Sequence, residues 1–122
     1  MPVKHIITGI SGEKAACQFL EKRGFKIIAT NWRYKHLEVD IIMHDGPILV
    51  FVEVKTRSNA AFGLPYESVD LQKQKKLDRA ANIYLARYRY EGEIRFDVIS
   101  ILVNQEKKYN IRHIKDAFWP ES

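Results

Sequence analysis

A chain of 122 residues, 46% hydrophobic and 29% charged, suits one compact domain with a real core. No apolar run approaches the ~20 residues that a membrane-spanning helix needs, and the opening MPVKHIITGISGEK shows neither the apolar stretch nor the cleavage site of a signal peptide. A single cysteine, Cys17, excludes an internal disulfide framework and a cysteine metal cluster, so a reducing, cytoplasmic setting is expected, while the net charge of +5 favours polyanionic partners, nucleic acid first.

No repeat, low-complexity tract or linker divides the chain, so one domain over 1–122 is expected, its core about 11–118. SGEKAACQFLEKRG reads as a first helix, with Ser11 as N-cap, Glu13 in the first turn and Gly24 as the stop. Ala16, Phe19, Leu20 and Arg23 share one face of it. FKIIATNWRY reads as a strand. LEVDIIMH and ILVFVEVKT read as two more, and the DGP between them is a turn signal, so the pair forms a hairpin. RSNAAFGLPYES is a loop whose Gly63, Pro65 and Ser68 suit turns or a helix start. The longest helix runs from Val69 to about Tyr90, where Leu77, Ala80, Ala81, Tyr84, Leu85 and Tyr88 follow a helical stripe. EIRFDVISILV is a fourth strand and KYNIRHIKDAF holds a fifth. The order α-β-β-β-α-β-β predicts an α/β or α+β domain, a mixed sheet flanked by helices.

The hairpin carries the chemistry. Asp40 and Glu53 mirror each other about the turn, so an antiparallel pair places them opposite or within a residue or two. Lys55 follows Glu53 on the same strand face. Both acids lie in mostly apolar runs, where two like charges at ~4 Å repel by roughly 4 kcal/mol at an effective dielectric of about 20. Bound Mg²⁺ or Mn²⁺, which takes oxygen ligands, reverses that sign and can activate water against a phosphodiester. Lys55 would then position that water or stabilise charge on phosphorus. The ordinary alternative is a strand end emerging into water with an Asp40–Lys55 cross-strand ion pair.

Asp40, then Glu53-Val54-Lys55 in a hairpin, preceded by a helix bearing Glu13, resembles the PD-(D/E)xK nuclease superfamily. From about Gly12 to Phe118 the chain resembles the YraN-like family of predicted endonucleases, itself similar to archaeal Holliday junction resolvases. The matching pieces are Gly12-Glu13, Asn31-x-Arg33, Glu38-x-Asp40, FVEVKTR, FGLP, Lys73 with Lys76, Ala80-Ala81, RFDV and IKDAF. The resemblance implies a restriction-endonuclease-like fold and metal-dependent cleavage of structured or branched DNA. It implies metal ligands at Asp40, Glu53 and the carbonyl of Val54, with Lys55 as catalytic lysine and Glu13 reaching the site from the first helix. A homodimer is expected from the likeness to resolvases. Leu37 stands where that family has glycine, a departure that bears on the local turn and removes no ligand. A nucleic-acid-binding module that keeps the fold without turnover is the alternative.

Arg33, Arg57, Lys73 and Lys76 are the candidate nucleic-acid contacts. The lysines tracking a phosphate backbone would give salt-sensitive binding with little sequence choice. Their ordinary reading is a solvated helix face, as Glu13's is a first-turn acid complementing the helix dipole. Trp32 and Trp119 suit packing or base stacking. Asp97 in RFDV suits a structural pairing with Arg95 or a lysine, and Cys17 suits a small core residue.

Overall fold

The computed structural model describes residues 11–57, 70–103 and 109–119. Its elements are α1 (Ser11–Lys22), β1 (Lys26–Tyr34), β2 (Leu37–Asp45), β3 (Ile48–Arg57), α2 (Leu71–Arg87), β4 (Ile94–Val103) and β5 (Tyr109–Ile114). The order is the expected one. The FGLP loop, Ser68 and Val69 fall outside the described residues.

The five strands form one mixed sheet in sequential order. β1, β2 and β3 are an antiparallel meander, β4 runs parallel to β3, and β5 returns antiparallel to β4. Parallel neighbours need a crossover, and α2 provides it. α1 covers one face, setting Ala15, Ala16 and Leu20 on Ile41, Met43, Val50, Val52, Ile99 and Ile101. α2 covers the other, setting Leu77, Ala80, Ala81 and Tyr84 on Leu37, Val39, Ile42, Leu49, Phe51 and Phe96. β3 is therefore buried on both sides, which is why its sequence is a continuous apolar run.

Local chemistry sets the boundaries. Gly24 takes φ 92 just past α1, and the Phe25 N–H returns to the Leu20 carbonyl. α1 begins at Ser11 itself, and Arg23 lies beyond its end, with the guanidinium 4.0 Å from the centre of the Phe19 ring. Gly46 and Pro47 make a two-residue turn between the paired Asp45 and Ile48. α2 starts at Leu71 rather than Val69, because the Asp70 side chain accepts the Lys73 N–H at 2.8 Å as N-cap. It ends at Arg87, and Tyr88, assigned to the apolar stripe, is 57% exposed. In the β1–β2 turn Lys35 takes the left-handed conformation, and Leu37 is a buried core residue beside α2.

Asp97 is fully buried yet saturated with partners. Arg95 meets it with Nε at 2.8 Å and Nη2 at 2.9 Å, His113 Nε2 lies at 2.7 Å, and the Asp116 N–H donates at 2.9 Å. Arg95 also reaches Asp45 at 2.8 Å. Burial alone would raise the Asp97 pKa; His113, Arg95 and the Asp116 N–H outweigh it and hold the carboxyl below the usual range. This network ties β4, β5 and the β2–β3 turn together, the structural role expected of Asp97.

Candidate functional site: a carboxylate fork between β2 and β3

The β2–β3 ladder runs from Asp45–Ile48 to Ile41–Val52. One step further the register sets Asp40 opposite Glu53, the pairing read from the turn. There the backbone bonding changes: the Val54 N–H donates to the Asp40 carboxylate at 2.8 Å. The apolar alternation of β2 changes phase at the same point. Val39 and Ile42 both pack toward α2, while Ile41 packs toward α1. The β1 residue facing Asp40, between the pairs Thr30–Ile41 and Trp32–Val39, is Asn31, in a left-handed conformation with φ 52. Asparagine tolerates that region better than most residues. A local twist in both strands therefore delivers Asp40 to the mouth of the fork.

Three carboxylates converge there. Glu13, Glu38 and Asp40 each offer an oxygen within 4.8 Å of the others. Glu13 arrives from the first turn of α1, which lies close on β3: a Cβ at Gly12 would stand 2.7 Å from Thr56 Oγ1. Only glycine permits that approach without displacing Thr56. Glu53 lies nearby on the α2 side, 4% exposed, with Lys73 Nζ at 3.5 Å from its carboxylate. The capping contact of Asp70 on the Lys73 N–H fixes the helical turn that carries this ammonium.

The charges oppose one another. Burial, then the Glu53 charge, pushes the Asp40 pKa up to about 7 against the Val54 N–H, with Glu13 and Glu38 adding to the rise. Glu53 is also pushed up, first by burial, though Lys73 and Lys55 act against it. Carboxylates held above their usual range by burial and by one another are what functional sites arrange.

The structure thus gathers Glu13, Asp40, Glu53 and Lys55 at one end of the sheet. Glu53's carboxylate is turned to Lys73 and lies outside the tightest acid group. Val54 sits half-buried between Glu53 and Lys55, tied to Asp40 through its N–H. Among the described residues no Asp40–Lys55 ion pair forms. Arg33, its side chain 69% exposed, reaches Glu38 at 3.3 Å on the rim. Arg57 closes β3 and is itself partnered. Lys76 is exposed on α2, one turn beyond Lys73. Glu38 is the site residue that sequence reading missed; its one signal is its spacing of two from Asp40 on a single strand.

Among the described residues no helix is long and apolar enough to cross a membrane. A model of the uncharacterised protein family UPF0102 matches residues 12–101. A UPF0102 protein of Bacteroides thetaiotaomicron is 43% identical over 117 residues, covering 96% of each chain. One from Alkaliphilus metalliredigens is 45% identical over 111 residues, 90% of this chain and 96% of its own. Another, from Symbiobacterium thermophilum, is 44% identical over 111 residues, 90% of this chain and 94% of its own. With the family matched across the α1, hairpin and α2 segments that build the fork, the chain belongs to the uncharacterised protein family UPF0102.

Proposed function

We propose that the fork is a divalent-metal site and that the protein is a metal-dependent endonuclease of structured or branched DNA. The observation that carries this reading is the convergence of Glu13, Glu38 and Asp40 within 4.8 Å, next to the buried Glu53. Oxygen donors of this kind suit Mg²⁺ or Mn²⁺. Glu13, Asp40 and Glu53, with the Val54 carbonyl, are the residues that would hold the ion, and Glu38 joins them. When bound, such a metal polarises a phosphodiester and lowers the pKa of its water. The Val54 N–H orients the Asp40 carboxylate, and Asp70 orients the helical turn of Lys73. Lys55, on the strand face of Glu53, would donate to an attacking water or to charge growing on phosphorus. Lys73 and Lys76, with Arg33 and Arg57 at the rim, supply positive charge for the backbone on either side.

The single unpaired Cys17 and the net charge of +5 fit a cytoplasmic protein working on nucleic acid. Resolvase-like cleavage of a symmetric junction calls for a homodimer, readable by light scattering on the complex. The test of activity is Mn²⁺- or Mg²⁺-dependent cutting of flapped and four-way DNA. Loss in Asp40→Asn, Glu53→Gln and Lys55→Ala is expected; cutting that survives all three would end the proposal. One observation favours a second reading. Lys73 already meets Glu53 at 3.5 Å, so an ammonium supplies part of the counter-charge without a metal. A binding module of this kind would hold DNA equally well with chelator and after Lys55→Ala.

A further inference from the structure

Four aromatic rings lie across the seam between β1 and α2: Trp32 and Tyr34 from the strand, Tyr84 and Tyr88 from the helix and its cap. Trp32 meets Tyr84 edge-on at 5.4 Å, and Tyr84 meets Tyr88 at 4.5 Å. The first three are largely covered, but Tyr88 keeps 57% of its surface open to solvent. Three cations lie around them. Lys35 Nζ and Arg87 Cζ each lie 5.6 Å from the centre of the Tyr34 ring, and Arg89 adjoins Tyr88. All three cations are exposed, and none is ion-paired to a carboxylate among the described residues.

Folding does not account for this. One cation over an exposed ring contributes about 0.5–1 kcal/mol, and a second on the same ring repels the first. Tyr88 packs one ring face on Tyr84, and the exposed remainder beside two arginines does nothing for the core. An anion with a flat, polarisable group does account for it: phosphates meet Lys35, Arg87 and Arg89 while a base stacks on Tyr88. The base must be unpaired, because a duplex hides its base faces. The bank and the fork share the edge strand: Arg33, on the opposite strand face between Trp32 and Tyr34, bonds Glu38 of the acid cluster.

We infer that this aromatic and cationic bank binds a single-stranded segment of nucleic acid, so that substrate reaches the fork with an unpaired arm. The inference rests on the nucleic-acid reading of the fork and adds the substrate class. The test uses the full chain in EDTA and fluorescence anisotropy with a labelled oligothymidylate of about 20 nucleotides and a duplex of equal length. Wild type should prefer the oligothymidylate. Tyr88→Ala should weaken it roughly tenfold, while Tyr88→Phe, which keeps the ring, should not. Lys35→Gln with Arg87→Gln should also weaken it and reduce the salt slope by about 1.4, the release expected for two single-strand phosphates. Circular dichroism melts separate lost binding from lost fold. If Tyr88→Ala and the double variant bind the oligothymidylate as wild type does, the inference is overturned and the fork reading stands. If wild type binds neither strand nor duplex, both fail.

Discussion

Asp40→Asn should stabilise the metal-free protein at pH 8 and leave it nearly unchanged at pH 4. The Asp40 carboxyl has its pKa pushed from 3.8 to about 7, first by burial and then by Glu53. The folded state therefore holds this proton more tightly than the unfolded chain does. Stability is full below about pH 4, falls as pH rises, and carries the whole penalty above about pH 7. A rise of about 3 units corresponds to roughly 4 kcal/mol. That is an upper figure, because Asp40 and Glu53 titrate together and each relieves the other, so a gain of about 2–4 kcal/mol is expected at pH 8. Asparagine keeps a carbonyl oxygen for the Val54 N–H, so the perturbation removes charge rather than the hydrogen bond. Urea unfolding followed by circular dichroism in EDTA, across pH 4 to 8, measures the difference. A difference that stays flat with pH, or favours wild type at pH 8, would show that Asp40 is not held against its charge. A thousandfold excess of Mn²⁺ over Kd should then cancel or reverse that order, stabilising wild type by about 4.1 kcal/mol and leaving Asp40→Asn unmoved.

Asp97→Ala should cost about 3–5 kcal/mol in the same assay, since it strands Arg95 and His113 around an empty buried site. Asp97 contributes with the opposite sign to Asp40: its lowered pKa gives stability at neutral pH that is lost as pH falls through the folded value. Lys73→Met should destabilise the metal-free protein by about 1–2 kcal/mol, a modest figure because the lysine is 46% exposed, and should tighten Mn²⁺ binding in calorimetry. Gly12→Ala should weaken Mn²⁺ binding in wild type but not in a Thr56→Ala background, where the atom 2.7 Å from the added methyl is gone.

How much of this was legible in sequence depends on how local the cause is. The hairpin register was readable because Gly46 and Pro47 leave only one symmetric closure, and that closure alone sets Asp40 against Glu53. The stripe Leu77, Ala80, Ala81, Tyr84 was readable because helical periodicity survives without context. The start of α2 was readable and misjudged: Asp70, an acid three residues before Lys73, is a better cap signal than the Val69 boundary. Glu38 was legible only as part of the Glu38-x-Asp40 spacing; its place in the acid cluster was not, because its approach to Glu13 comes from a twist at Asn31 and Asp40 and from a helix that packs across the sheet. The Lys73–Glu53 contact and the meeting of Arg95 with Asp45, 50 residues earlier, are likewise products of tertiary folding.

The two buried acid sites of this sheet make the case together. Asp97 stands on β4 next to Val52 of β3, one residue before Glu53, in the same layered core. It receives a bidentate arginine, a histidine and a backbone N–H, and its charge is thereby welcome. Asp40 receives a single N–H while three other carboxylates raise its pKa, and Glu53 has one half-exposed lysine within ion-pair distance. A fold able to satisfy Asp97 so fully had arginines and backbone donors at its disposal. Leaving Asp40 and Glu53 in deficit beside Glu13 and Glu38 costs stability that selection for folding alone would recover by replacing an acid. Charge deficit confined to one cluster, met only by a half-exposed lysine at Glu53 and an exposed arginine at Glu38, is what a site needs if its missing positive charge arrives with a ligand.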